Sequence, residues 1–300
     1  MPNSADKNGK MKRVLITGAT GNIGQEVIRF LFNNKTRNHI IAGVRDIGKS
    51  KVKFSGFPQL DYVQFDFESR DTFQSALRDI DCVFLLRPPQ ISDVGRYFEP
   101  FISKLRQSKA KQVLFLSVQG VEKSRVIPHH KIEDLILASG LDYIFLRPSY
   151  FMQNLTTTLL GDIRNRRDVI LPAGHAKFNW VDIENIGEAS AMLLDNFDDY
   201  RNRAIEITGY ENEDFYSVVD KINGVVSEKI RFVDMNPFRY FAMKRREGIP
   251  RGLVLVMILL HFLPRFQKEP RISDFYEKIT GKKPTTLKQF IEREKAMLES

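Results

Sequence analysis

The sequence predicts an α/β fold: a doubly wound parallel sheet of about seven strands, with a smaller, mostly helical cap from the C-terminal part. Three observations lead there. Short, nearly continuous apolar runs alternate with amphipathic stretches from Met11 to about residue 150, the pattern of strands covered on both faces. A glycine-rich turn joins the first apolar run to the first amphipathic stretch. Beyond residue 150 the alternation weakens and helical spacing takes over.

Arg13–Thr17 (RVLIT) reads as the first strand, and Asn22–Asn33 as a helix with Ile23, Val27, Ile28, Leu31 and Phe32 on one face. His39–Val44 and Asp61–Phe65 supply the second and third strands. Asp71–Leu77 is helical and opens on an aspartate suited to capping. Asp81–Leu86 and Gln112–Ser117 are the fourth and fifth strands, with Arg96–Ser108 helical between them. Lys131–Ser139 is a helix stopped by Gly140, Asp142–Leu146 a sixth strand and Ala204–Thr208 a seventh. The later helices and loops are expected to cover the carboxyl edge of the sheet.

Composition narrows the function. The chain has 300 residues, 42% hydrophobic and 28% charged, which excludes collagen-like, coiled-coil and wholly disordered proteins. A single cysteine, Cys82, excludes a disulfide framework and multi-cysteine metal sites, and fits a reducing, cytoplasmic compartment. The five histidines show no metal-ligand spacing, so no metal is expected. The net charge of +9 is spread over short clusters such as Lys109–Lys111, Arg164–Arg167 and Lys244–Arg246, so no nucleic-acid partner is expected. Leu253–Leu260 is too short to span a bilayer and residues 1–10 lack an apolar signal region; neither a membrane nor a secretory route is expected.

The most informative motif is Thr17-Gly18-Ala19-Thr20-Gly21-Asn22-Ile23-Gly24. Glycines at this spacing allow a tight turn, close backbone approach to a pyrophosphate and close helix–strand contact, and the helix N-terminus offers N–H groups to phosphate. That marks the sheet as a Rossmann-type, dinucleotide-binding one, a glycine-rich turn that only packs the helix being the other reading. The expected organisation is a disordered lead at 1–10, a dinucleotide-binding domain at 11–150, and a substrate-side region at 151–300 contributing late strands and the helical cap. At the end of the second strand stands Arg45, whose guanidinium suits the 2′-phosphate of NADP; Asp46 beside it leaves NAD as the alternative.

With Arg45, Gln64-Phe65-Asp66-Phe67, Phe84-Leu85-Leu86-Arg87-Pro88-Pro89, Leu146-Arg147-Pro148-Ser149-Tyr150-Phe151, Phe178-Asn179-Trp180-Val181-Asp182-Ile183 and Ile279-Thr280-Gly281-Lys282-Lys283-Pro284, the chain resembles the NmrA-like family of atypical short-chain dehydrogenases/reductases from about Met11 to Phe290. The resemblance implies that Gly18, Thr20, Gly21, Asn22 and Ile23 hold the pyrophosphate and Arg45 the adenosine end. It further implies Asp66 and Phe67 beside the adenine and Leu86 and Arg87 along the ribose and nicotinamide path. Asp66 equally suits a turn cap, and Leu86 the core.

Reductases of the wider superfamily protonate substrate with a Tyr-x-x-x-Lys pair after the fifth strand. Here that pair is missing; Tyr240–Lys244 matches the spacing about a hundred residues too late. Ser117 matches the serine closing the fifth strand, and Pro128-His129-His130-Lys131-Ile132-Glu133 occupies the tyrosine's place. His129 and Glu133, spaced i, i+4, share a helix face on which the carboxylate can orient the imidazole, whereas His130 is expected to be exposed. Lys131 aligns with the lysine of related benzylic ether reductases, so Lys131 and His129 are the catalytic candidates and Lys131 also a cofactor contact. Tyr150, Phe151 and Asn154 are candidates for a substrate pocket, with Phe178 and Trp180 near it; core packing is their other reading. Two functions follow: an NAD(P)H-dependent reductase of a small aromatic or conjugated acceptor (quinone, azo compound, enone or imine), or a non-catalytic NAD(P)-binding redox sensor acting on a regulatory protein partner.

Overall fold

The computed structural model describes residues 11–125 and 127–299; the expected lead at 1–10 lies outside the described residues. In chain order the regular elements through the sixth strand are β1 (Arg13–Ile16), α1 (Asn22–Asn33), β2 (His39–Val44), α2 (Ile47–Lys53), β3 (Asp61–Gln64), α3 (Asp71–Ala76), β4 (Cys82–Leu86), α4 (Val94–Gln107), β5 (Gln112–Leu116), α5 (Pro128–Ser139) and β6 (Asp142–Pro148). Then come β7 (Tyr150–Phe151), α6 (Leu160–Arg166), β8 (Asp168–Leu171), β9 (Phe178–Val181), α7 (Ile183–Asp195), α8 (Phe197–Tyr200), β10 (Arg203–Ile207), β11 (Asn212–Glu213), α9 (Phe215–Asn223) and β12 (Arg231–Asp234). The chain closes with α10 (Pro237–Arg246), α11 (Arg251–Phe262), α12 (Phe275–Thr280), α13 (Leu287–Arg293) and α14 (Lys295–Glu299). It divides into two compact units, one running through Pro148 and resuming over Ile186–Glu206, the other made of Ser149–Asn185 and the chain from Ile207.

The first unit is built on a seven-stranded sheet ordered β10-β6-β5-β4-β1-β2-β3. The pairs β1–β2, β2–β3, β1–β4, β4–β5 and β5–β6 are parallel. Asn202 N donates to Tyr143 O near one end of β6 and Ser149 N to Ile207 O just past the other, so β10 runs the same way. The chain winds outward from β1 in one direction and returns to β4 to wind in the other, which puts the topological switch point between β1 and β4. The central strands are apolar along their whole length because both faces are covered: Val14, Leu15, Val83, Phe84, Val113 and Leu114 are fully buried. On one face Phe65, Phe67, Phe73, Phe98 and Phe101 pack as a ring cluster with centroids 4.6–5.9 Å apart. The alternation of the sequence sufficed for these strands but missed α2, whose seven residues are too few for periodicity and whose signal is the cap: Asp46 accepts from Lys49 N at 3.0 Å.

The second unit carries more strand than helical spacing suggested. β11-β9-β7 form one small sheet and β12 pairs parallel with β8 in another. Strands of two to four residues are too short to register as alternation. Asn179, buried on β9, organises the first of them: its Oδ1 accepts from Ser149 Oγ and Gly209 N, both at 2.7 Å, while its Nδ2 donates to Gly209 O, Glu211 O and Asn212 Oδ1. Gly209 is required there, since a β-carbon would lie 1.5 Å from Trp180 O. Phe178 and Trp180 belong to this core rather than to a pocket wall: Trp180 is fully buried and donates its indole N–H to Glu213 O at 3.1 Å.

The ends of β1 and β4 are tied by Thr17, whose buried hydroxyl donates to Phe84 O (3.0 Å) and accepts from Leu86 N (2.9 Å). Thr17→Val keeps the shape but leaves the Leu86 N–H without an acceptor, so it is expected to cost about 1–3 kcal/mol, whereas Thr17→Ser retains most of the stability. Urea unfolding of the two variants, compared by midpoint at unchanged slope, checks this.

Candidate functional site

The glycine turn leaves β1 at Thr17 and enters α1 at Asn22. Gly18 takes φ +61°, a left-handed conformation closed to a side chain here for a second reason: a β-carbon would meet Leu86 Cδ2 at 3.0 Å. Gly21 N donates to Gly18 O at 3.0 Å, completing the turn. At Gly24 a β-carbon would stand 2.3 Å from the Gly18 carbonyl oxygen, so only glycine lets α1 lie this close to the turn. Gln25 Nε2 and Lys53 Nζ donate to Thr20 O at 3.1 and 2.8 Å and pin the loop from outside. Gly21 caps α1 without a side-chain hydrogen bond, while Thr20, Gly21 and Asn22 are exposed and Ile23 half-buried. The first-turn N–H groups of a twelve-residue helix are thereby presented outward, a ready anion site.

The ends of the neighbouring strands surround this turn. Arg45 is exposed just past β2, while Asp46 spends its carboxylate on the α2 cap. Asp66 is engaged in a turn, its Oδ1 accepting from Glu68 N at 3.0 Å, and Phe67 is buried in the phenylalanine cluster, 4.6 Å from the Phe98 ring centroid. Leu86, at the end of β4, touches Gly18. Arg87 follows it with its Nη1 donating to the carbonyls of Pro88, Pro89 and Ile91 (3.0, 3.2 and 2.7 Å) and its Nε to His129 Nε2 at 3.4 Å. Burial lowers the Arg87 pKa, and the same burial, with the Arg87 cation beside it, pushes His129 down to about 3. Because Nε2 accepts, the ring proton sits on Nδ1, and the imidazole is neutral at physiological pH. Ser117, just past β5, has a buried hydroxyl that finds no hydrogen-bond partner among the described residues.

Two expectations for α5 are corrected. Glu133 does not orient His129: Arg147 of β6 takes its carboxylate through two bonds of 3.0 and 2.6 Å, a bidentate pair that a single imidazole cannot displace. His130 is half-buried rather than exposed, its Nδ1 3.1 Å from Val121 O and its Nε2 3.5 Å from Asp134. Lys131 lies on the exposed stripe of α5 with Asp134 and Ala138, and is not brought against Arg87, His129 or Ser117 by any hydrogen bond. Cys82 is fully buried on β4 with its thiol pushed up to about 12, which keeps it out of any thiolate chemistry.

The second unit holds the remaining candidates. Tyr150 stands within an aromatic cluster, 4.8 Å from Trp180 and 5.2 Å from Phe178 by ring centroid. Its hydroxyl meets His261 Nε2 at 2.9 Å, and His261 Nδ1 lies 2.6 Å from Met257 O. Only a protonated Nδ1 satisfies a carbonyl, so Tyr150 donates to Nε2 and His261 is neutral, its pKa pushed down to about 4 by burial. Sequence reading passed over His261 because its neighbours are all apolar; its i, i+4 relation to Met257 was the available signal. Phe151 and Asn154 are half-buried beside this cluster, and His175 is surface-exposed against Asp214 at 3.3 Å. Among the described residues no group of His, Cys, Asp and Glu suits a metal ion.

The chain belongs to the NmrA-like family, whose model matches residues 10–290. It is 30% identical over 279 residues to prestalk A differentiation protein A of Dictyostelium discoideum, covering 92% of this chain and 90% of that protein. It is 24% identical to an NAD(P)H azoreductase of Xenophilus azovorans over 92% of this chain and 96% of the other. Among solved structures, the NADPH-dependent quinone oxidoreductase of Escherichia coli complexed with NADPH superposes with TM-score 0.83 at 19% identity, covering 93% of this chain and 99% of that one, and shares the fold.

The two neutral histidines set a pH dependence. A folded-state pKa below the unfolded value of about 6.5 means that the unfolded chain takes up protons first on acidification, so stability is full above pH 6.5 and falls below it. For His261 the loss reaches about 2 kcal/mol by pH 5, the drop from 6.5 counted at 1.36 kcal/mol per unit. Urea unfolding at pH 7 and pH 5 should show a smaller pH-dependent loss for His261→Gln than for the unaltered protein.

Proposed function

We propose that the protein is an NADPH-dependent reductase of a small aromatic or conjugated acceptor such as a quinone or azo compound. The observation that carries the reading is the glycine turn at the β1–β4 switch point, with uncapped first-turn N–H groups, Arg45 past β2 and the unpartnered buried hydroxyl of Ser117. A dinucleotide fits this set. Gly18, Thr20, Asn22 and Ile23 would hold its pyrophosphate through backbone N–H groups and Gly21 by leaving room beside it, Arg45 its adenosine phosphate, and Ser117, Leu86 and Arg87 its other end; Asp66 and Phe67 would act near the adenine through the turn they shape. The bound cofactor supplies hydride. The likeness to an NAD(P)H azoreductase and to a quinone oxidoreductase supports the acceptor class.

The chain's own residues then have to bind, orient and move a proton. Arg87 is a partly desolvated cation fixed by three carbonyls, which suits it to meet the acceptor atom on which negative charge develops, or the cofactor's ribose side. His129 is a positioning residue: neutral, it braces Arg87 through Nε2 and cannot donate a proton as imidazolium at neutral pH. The proton is assigned to Lys131, which stands on a different face of the same helix and reaches the acceptor only when its long side chain swings inward. Tyr150, Phe151 and Asn154 remain the candidates for recognising the acceptor.

A second reading, a non-catalytic redox sensor that passes the cofactor's state to a protein partner, draws on the neutral His129 and on the likeness to a protein named for differentiation rather than for a reaction. Two measurements separate the readings. Calorimetric titration should give NADPH a roughly tenfold to hundredfold advantage over NADH that Arg45→Ala removes, the worth of one charge-assisted pair of about 1.5–3 kcal/mol. In steady-state oxidation of NADPH by quinones and azo dyes, Lys131→Ala should lower kcat by about a hundredfold. A loss confined to KM assigns Lys131 to binding, and no turnover of any acceptor with intact NADPH binding favours the sensor.

A further inference from the structure

We propose that the outer face of α10 and α11 is a docking surface for an anionic lipid bilayer. The helix α11 is apolar all round: Val254, Met257 and His261 face inward, yet Leu253, Val256, Leu260 and Leu263, at spacings of three and four, form an outward stripe 45–55% exposed. Leu255 and Leu259 widen it to 44% and 53% exposure, and two aromatic side chains, Phe238 at the start of α10 and Phe266 after α11, stand 85% and 75% exposed. A soluble surface rarely leaves so much contiguous apolar area uncovered.

What surrounds the stripe identifies its cover. The segment 237–272 holds eight Lys and Arg against two Glu, so six of the chain's nine net positive charges lie in 36 residues. Arg239, Arg245 and Arg246 on α10, which packs against α11, are exposed, as are Arg251 at the start of the apolar helix and Lys268 beyond its end. Lys244 is buried against Asp162 and Glu247, Arg265 pairs with Asp234 and Glu269 pairs with Lys177, so the outward charge is carried by Arg239, Arg245, Arg246, Arg251 and Lys268. Apolar side chains rimmed by cations are the chemistry of a helix lying in the plane of an anionic membrane, the side chains entering the acyl boundary and the cations meeting lipid phosphate. At twelve residues α11 is about 18 Å long, well under the roughly 30 Å of hydrocarbon, and no helix among the described residues is long and apolar enough to cross. The surface lies on the bilayer and does not span it. A second copy is the poorer cover, because a two-fold interface here would press two rims of like charge together. Residues 1–10 carry no apolar run with which to fill the stripe.

The test is co-sedimentation of the full chain with vesicles of phosphatidylcholine alone and of three parts phosphatidylcholine to one part phosphatidylserine. Partition should be at least about tenfold stronger on the anionic vesicles and weaken with added salt. Val256→Glu with Leu260→Glu, both at exposed positions, should cut it about tenfold or more with circular dichroism and NADPH binding unchanged, and Arg245→Gln with Arg246→Gln should lower it on anionic vesicles only. Equal partition on both vesicles, partition undiminished by the Val256/Leu260 pair, or no partition at all overturns the proposal. A dimer in sedimentation equilibrium that the Val256/Leu260 pair dissolves, with vesicles left unbound, assigns the face to self-association instead. None of these outcomes depends on whether the protein is a reductase.

Discussion

No β-carbon fits at residue 24. The 2.3 Å that would separate it from the Gly18 carbonyl oxygen means that α1 can lie against the turn only because residue 24 is glycine. From that close approach follow the left-handed Gly18, the bond from Gly21 N back to Gly18 O, and a helix N-terminus that opens outward without a side-chain cap. Thr17 holds the same turn to the end of β4 through two buried hydrogen bonds, which fix the glycine turn against the Leu86–Arg87 corner. The switch point of the sheet lies between those two strands, and the winding of the chain puts the cradle there.

The electrostatics beside the cradle favour binding and orientation over acid catalysis by histidine. An arginine held by three carbonyls keeps a fixed charge at the end of β4, and the imidazole next to it stays neutral because a second cation there would be desolvated and repelled. The second unit uses its histidine in the same neutral form, sandwiched between a tyrosine hydroxyl and a carbonyl.

The sheet and the glycine turn were legible in the sequence because their signals are local: strands buried on both faces are apolar end to end, and glycine spacing records where backbones touch. Much of the rest depends on partners distant in sequence. Helical spacing put His129 and Glu133 on one face, but Arg147 from β6 claims the carboxylate. The stretch Phe178–Ile183 is held by partners distant in sequence: Asn179 ties β9 to Ser149 and Gly209, Trp180 fills the core, and the fully buried Asp182 pairs with Arg293 at 2.8 Å. Charge along the chain looked scattered, whereas on the surface the cations of α10 flank the apolar helix that follows it. Strands of two and four residues in the second unit left no periodicity to read.

The central claim is that residues 17–24, the ends of β2 and β4, and Ser117 together form one dinucleotide site. Hydrogen–deuterium exchange with and without saturating NADPH tests it directly. Slower exchange at the amides of the glycine turn and the first turn of α1 is the predicted result, since those not already bonded within the turn are taken by phosphate or shielded with it. Binding of NADPH that leaves the exchange of Gly18–Gly24 unchanged would contradict the account.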